Sequence, residues 1–147
     1  MVKNKRLMIM IILITLILTL NSQLDAVEIE IKADIPAKLR SRITDLYPKV
    51  CDILGMYPDD FEVNIILFKN DAEMNRALGG TNSPTGAYHF PSNTLYLSRK
   101  SLTDEVLAHE LAHTICCRYS KITVKSQEIL AGYCQYIITK GGKNGKK

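Results

Sequence analysis

The chain has 147 residues, 46% of them hydrophobic and 23% charged, which suits one globular domain with a core of its own. Its net charge of +4 is mild, with Lys3, Lys5 and Arg6 near the N-terminus and Lys140, Lys143, Lys146 and Lys147 in the last eight residues. Aromatic residues are not interleaved with arginines into a basic stripe, so a nucleic-acid partner is not expected.

Behind the basic start, Leu7 to Leu20 runs fourteen residues without a charge. A basic region followed by an apolar stretch of that length reads as a signal peptide over residues 1–26, shorter than the roughly 20 residues of a membrane-spanning helix. Leu24-Asp25-Ala26 offers a cleavage point. The alternative is an uncleaved N-terminal anchor, with membrane association through residues 7–20. Either way residues 27–140 form the expected domain, secreted or held outside the cytoplasm, and residues 141–147 a basic flexible tail.

Val27 to Ala33 alternates apolar and polar residues and predicts a half-buried strand. Pro36 opens a helix, with Asp34 as candidate cap and Leu39, Ile43, Leu46, Val50 and Ile53 or Leu54 on one face. Pro48 sits inside that pattern and is expected to kink or split it. After a turn over Gly55 to Asp60, Phe61 to Lys69 is the strongest strand, apolar enough to lie centrally in a sheet. Asn70 or Asp71 caps a short helix ending at Gly79-Gly80, followed by a loop from Thr81 to Thr85. Gly86 to Phe90 and Thr94 to Ser98 read as strands of a hairpin joined by Pro91-Ser92-Asn93.

The densest chemistry lies in Asp104 to Ile115, where His109-Glu110-Leu111-Ala112-His113 reads H-E-x-x-H. Ser101 or Thr103 can cap a helix here, and Asp104 and Glu105 fall in its first turn. On a helix His109 and His113 share a face, so both imidazoles can bind one Zn²⁺ at about 2.0–2.1 Å. Glu110, rotated by about 100°, can reach a water on that ion without binding the ion itself. The helix is expected to run to about Tyr119, with Ser120 to Lys125 leading into a second helix that ends before Gly141-Gly142. Near the start of that helix stands Glu128, fifteen residues past His113 and followed by Ile129-Leu130-Ala131.

His109-Glu110-x-x-His113 followed by Glu128-Ile129-Leu130-Ala131 resembles the gluzincin zinc metallopeptidases, in particular their compact peptidase-MA-like and minigluzincin branches. The resemblance implies Glu128 as third zinc ligand and a peptide or protein substrate. Ile129 stands where these families often have glycine, and the gap is short beside that of thermolysin-like enzymes. The families also carry a glycine-bearing strand before the H-E-x-x-H helix, forming the upper rim of the cleft, and Gly86-Ala87-Tyr88-His89-Phe90 is similar in position and composition. Such an edge can bind an extended peptide through its main chain. His89 is a candidate oxyanion donor, with Tyr88 and Tyr133 as alternatives.

The four cysteines, Cys51, Cys116, Cys117 and Cys134, leave several states open. An exported chain allows a Cys116–Cys134 or Cys117–Cys134 disulfide, buried free thiols, or thiolate ligands for a metal. The expected architecture is a small α+β zincin-like domain, with helices on a mixed or antiparallel sheet. The expected activity is zinc-dependent peptide hydrolysis, with His109, His113 and Glu128 on one Zn²⁺ and Glu110 as base and then acid. A module that keeps the zinc site only to bind peptides is the alternative, and a purely structural zinc site leaves Glu110 without a task.

Overall fold

The computed structural model describes residues 29–59, 61–80, 86–119 and 121–144. Its strands are β1 (Ile29–Ile31), β2 (Phe61–Phe68), β3 (Gly86–His89) and β4 (Thr94–Ser98). Its helices are α1 (Ala37–Leu54), α2 (Asp71–Ala77), α3 (Asp104–Cys116) and α4 (Val124–Asn144), with a 3₁₀ turn at Phe90–Ser92. Residues 1–28, which hold the expected signal or anchor, and the loop 81–85 lie outside the described residues. Among those described, no helix is long and apolar enough to cross a membrane.

The strands form one mixed sheet in the order β1-β2-β4-β3, parallel except for β3, which runs antiparallel to β4 at the edge. This is an α+β arrangement, and β2 is internal as its apolar run predicts. Along β2, Phe61, Val63 and Ile65 are buried and alternate with more exposed residues, the two-residue period of a strand with one face on the core. The parallel register sets Ile65 beside Leu95 and Leu67 beside Leu97. Against this face pack Ile43, Tyr47 and Val50 of α1, Leu107, Leu111 and Ile115 of α3, and Ala131 and Cys134 of α4. Each large apolar side chain so buried contributes about 1.5–3 kcal/mol. Tyr47 and Phe61 stack with ring centroids 4.7 Å apart, joining α1 to β2.

Three local expectations are corrected by this packing. Of the kink or split expected at Pro48, the split does not occur, and helix α1 runs through it as one 18-residue element. Pro48 gives up one helical hydrogen bond, but Tyr47, Val50 and Cys51 around it are fully buried, and their burial outweighs that loss. Asp34 does not cap α1. Pro36 occupies the cap, its carbonyl accepting from the N–H of Leu39 (2.8 Å) and Arg40 (3.1 Å), while Arg40 donates back to the carbonyls of Ile31 and Ala33. Helix α4 passes through Gly141-Gly142 to Asn144. A glycine costs a helix only about 1 kcal/mol, and Ile138, packed on the core, holds the turn before them. Residues 141–144 of the expected tail are therefore helical, and 145–147 lie outside the described residues.

Other turn chemistry follows the sequence. Gly55 ends α1 in the left-handed conformation at φ 63°, and the side chain of Asn70 caps α2 by accepting from Glu73 N–H at 3.0 Å. Asn93 adopts a left-handed φ of 49° at the hairpin. Its amide donates to the Glu62 carbonyl, its carboxamide oxygen accepts from Tyr88 Oη (2.7 Å), and its carbonyl accepts from Asn64 N–H (2.9 Å). One residue thus turns the hairpin and locks it to β2. Replacing Pro48 by Ala restores a backbone donor in a helix that is already continuous through that position. Pro48→Ala should stabilise the domain by about 1–3 kcal/mol and raise its thermal midpoint by several degrees in a calorimetric scan.

Candidate metal centre

Helix α3 begins at Thr103, whose hydroxyl accepts from Val106 N–H at 3.3 Å, whereas the Ser101 hydroxyl is engaged by the Asp71 carboxylate. Arg42 on α1 grips Asp104 in the first turn, with Nε at 2.8 Å and Nη2 at 2.6 Å from its carboxylate. Leu107, Ala108, Leu111, Ala112, Thr114, Ile115 and Cys116 are all fully buried, so the helix cannot roll or slide without opening the core. It ends at Cys116, three residues before the expected Tyr119, and α4 follows after a short turn. The Thr123 hydroxyl accepts from Ser126 N–H at 3.2 Å, which places Glu128 one turn inside α4 rather than at its tip.

These two helices, packed together, bring His109, His113 and Glu128 to one point. The imidazoles meet through Nε2 atoms 3.2 Å apart. Glu128 Oε2 is 3.7 Å from His109 Nε2, and Glu128 Oε1 is 3.5 Å from His113 Nε2. A tetrahedral ion with bonds of about 2.0–2.1 Å holds its donors roughly 3.3–3.4 Å apart, so these spacings fit one small dication. The donor set of two imidazoles and one carboxylate suits zinc. Burial, opposed in part by the Glu128 charge, holds His113 below the usual imidazole range, favouring the neutral form that binds metals. His109 Nδ1 is buried with no hydrogen-bond partner among the described residues.

Glu110 stands apart from the donors. It is only 6% exposed, and burial, with a smaller contribution from the Glu128 charge, pushes its carboxyl up to about 7. Its side chain lies against β3 at Gly86: a Cβ built there would fall 2.7 Å from Glu110 Cγ and 2.9 Å from Cδ and Oε1. Gly86 pairs with Leu97, and β3 extends from it to His89, which pairs with Thr94. Residues alternate across a strand, so Gly86 and Tyr88 face α3 while Ala87 and His89 face away.

The expected β3 residues therefore separate. Gly86 touches the site. Tyr88 packs partly against the core and donates to Asn93. His89 is exposed, about 10 Å along the strand from Gly86, and its Nδ1 bonds the Ser92 hydroxyl at 2.8 Å. It is not placed to serve an oxyanion near Glu110. Tyr133, five residues past Glu128, is rotated by about 140° from it on α4 and faces solvent.

Of the cysteine states left open, the structure has free thiols, with no bridge among Cys51, Cys116, Cys117 and Cys134. Cys51, Cys116 and Cys134 are fully buried, and burial pushes them up to about 11, 11 and 12 respectively. Cys117 turns away from them and donates to Gln127 Oε1 at 3.2 Å. The apolar core takes Cys116 and Cys134 as small hydrophobes.

Three contributors to the site escaped the sequence reading. Thr123, a good capping type, fixes the start of α4, and Gln127 ties that start to the end of α3. Their signal was a threonine three residues before a serine at a helix start. The approach of Gly86 to Glu110 had no local signal, because those residues are far apart in the chain. No protein-family model, curated protein or solved structure matches this chain.

The thiol environments predict a graded reactivity. With a neutral alkylating reagent at pH 7 and no denaturant, intact-mass analysis should show one rapid adduct, mapped to half-buried Cys117, and four adducts once the chain is unfolded. Fewer than four in the unfolded, unreduced chain would reveal a bridge.

Proposed function

We propose that this protein is a zinc-dependent peptidase of gluzincin type. The observation that carries the reading is the convergence of His109 Nε2, His113 Nε2 and the Glu128 carboxylate within 4.8 Å of one another, with the buried Glu110 carboxyl beside them. A structural zinc site has no use for that fourth group, since burying an acid with no partner charge is costly. The zinc, when bound, polarises the scissile carbonyl and acidifies water. Glu110 then takes a proton from the attacking water as its oxygen bonds the carbonyl carbon, and delivers it to the amine nitrogen as the C–N bond breaks. A carboxyl raised toward neutrality is suited to both directions of that transfer.

The open-ended sheet supports a peptide as substrate. Strand β3 is the last in the sheet, and its Gly86 end adjoins Glu110, so a peptide laid along β3 would bring its main chain to the base. The same strand favours the second reading, a module that holds zinc and binds peptides without cleaving them. In either reading the apolar segment 7–20 would export the chain.

Two measurements decide between them. His109→Ala, His113→Ala and Glu128→Ala should each weaken zinc affinity at least tenfold in a competition titration, and undiminished affinity in Glu128→Ala would remove the gluzincin assignment. Glu110→Gln keeps the side-chain length but loses the base, so zinc stays bound while turnover of a cleaved peptide falls about 10²–10⁴-fold. Chelator-sensitive cleavage by the unaltered chain is the prerequisite. Its absence across a broad peptide library, with peptide binding retained, would instead establish the binding module.

A further inference from the structure

Building on the peptidase reading, we infer that Gly86 is a positioning residue for Glu110: its missing side chain is the space in which the carboxyl is held. Gly86 does not adopt a left-handed φ, unlike Gly55, Gly79 and Gly80, so its backbone conformation is open to any residue. The demand for glycine comes from contact. A Cβ at this position would overlap Glu110 Cγ, Cδ and Oε1 at 2.7–2.9 Å, closer than carbon atoms approach without displacement.

Both backbones are tied into the fold. Gly86 is buried and belongs to the β3–β4 ladder opposite Leu97, itself fully buried. Glu110 sits mid-helix between Leu107 and Leu111, both fully buried, in a helix gripped at its start by Arg42. An added methyl must therefore be absorbed by the Glu110 side chain, which swings out of its place. A misplacement of about 1 Å in a catalytic group costs on the order of 100-fold in rate. Because Gly86 also lies on the strand proposed to receive the peptide, it sets the separation between base and bound main chain. The three atoms nearest a Cβ at Gly86 all belong to Glu110 and none to His109, His113 or Glu128, so the substitution leaves the donor atoms themselves in place.

The test is a cycle of full-length chains: unaltered, Gly86→Ala, Glu110→Ala, and both together. Gly86→Ala should lower the thermal midpoint of the unaltered chain by several degrees and leave that of Glu110→Ala unchanged or higher, since the truncated side chain frees the space. With a cleaved peptide, Gly86→Ala should lower kcat at least tenfold while KM and zinc content stay within twofold. An equal fall in midpoint in both backgrounds would show that alanine disturbs the strand rather than Glu110, and would overturn the inference. So would an unchanged kcat. If the unaltered chain cleaves no peptide, the peptidase reading fails, while the stability cycle still decides whether Gly86 places Glu110.

Discussion

The burial of α3 on almost every side is the constraint from which the rest of this structure follows. Leu107, Leu111 and Ile115 lock it against the sheet and α1, while Ala108, Ala112 and Cys116 are fully buried alongside them. A helix enclosed in this way can carry polar groups only where another element opens a gap for them. That gap is bounded by α4 on one side, which supplies Glu128, and by the edge strand β3 on the other, which supplies the space at Gly86. His109, His113 and Glu110 are thus carried by a helix packed into the core, and Glu128 by the helix packed beside it. Preorganisation of this kind is what a metal site and a proton-transfer group both need.

The arrangement carries an energetic penalty. An ionised carboxylate that is 6% exposed and has no paired charge among the described residues is unfavourable, and a carboxyl raised to about 7 corresponds to on the order of 3 kcal/mol of lost stability at neutral pH. The imidazole nitrogens 3.2 Å apart and the buried Nδ1 of His109, which has no hydrogen-bond partner among the described residues, add further polar groups. A dication among the donors would relieve both the carboxyl and the facing nitrogens. The apolar core built on Tyr47, Phe61, Leu95, Leu97 and Leu111 supplies the stability that offsets this strain. Polar groups that the fold tolerates rather than requires are the ones to read as function.

Much of the local structure was legible because it rests on chemistry within a few residues. Asn70 caps α2, Thr103 caps α3, Gly55 closes α1 and Asn93 turns the hairpin, each for a reason visible in its own side chain. The strand Phe61–Phe68 announced its central place through its apolar run, and His109, Glu110 and His113 through their helical spacing. Where local rules failed, packing over longer range had overruled them. Proline did not split α1 and two glycines did not end α4, because buried neighbours outweighed penalties of one or a few kcal/mol.

By itself the sequence determined that His109 and His113 share one helix face with Glu110 beside them, since the spacing of H-E-x-x-H acts through one helix turn. It also determined the order and type of nearly every element. Only the tertiary structure decided that Glu128 comes within 4.8 Å of His109 and His113, that Gly86 rather than His89 meets Glu110, and that Cys116 and Cys134 stay apart as buried thiols. Those outcomes depend on how α4 lies against α3 and on which face β3 turns to the core. Such relations join residues distant in the chain, through the burial of apolar surface that belongs to no single segment.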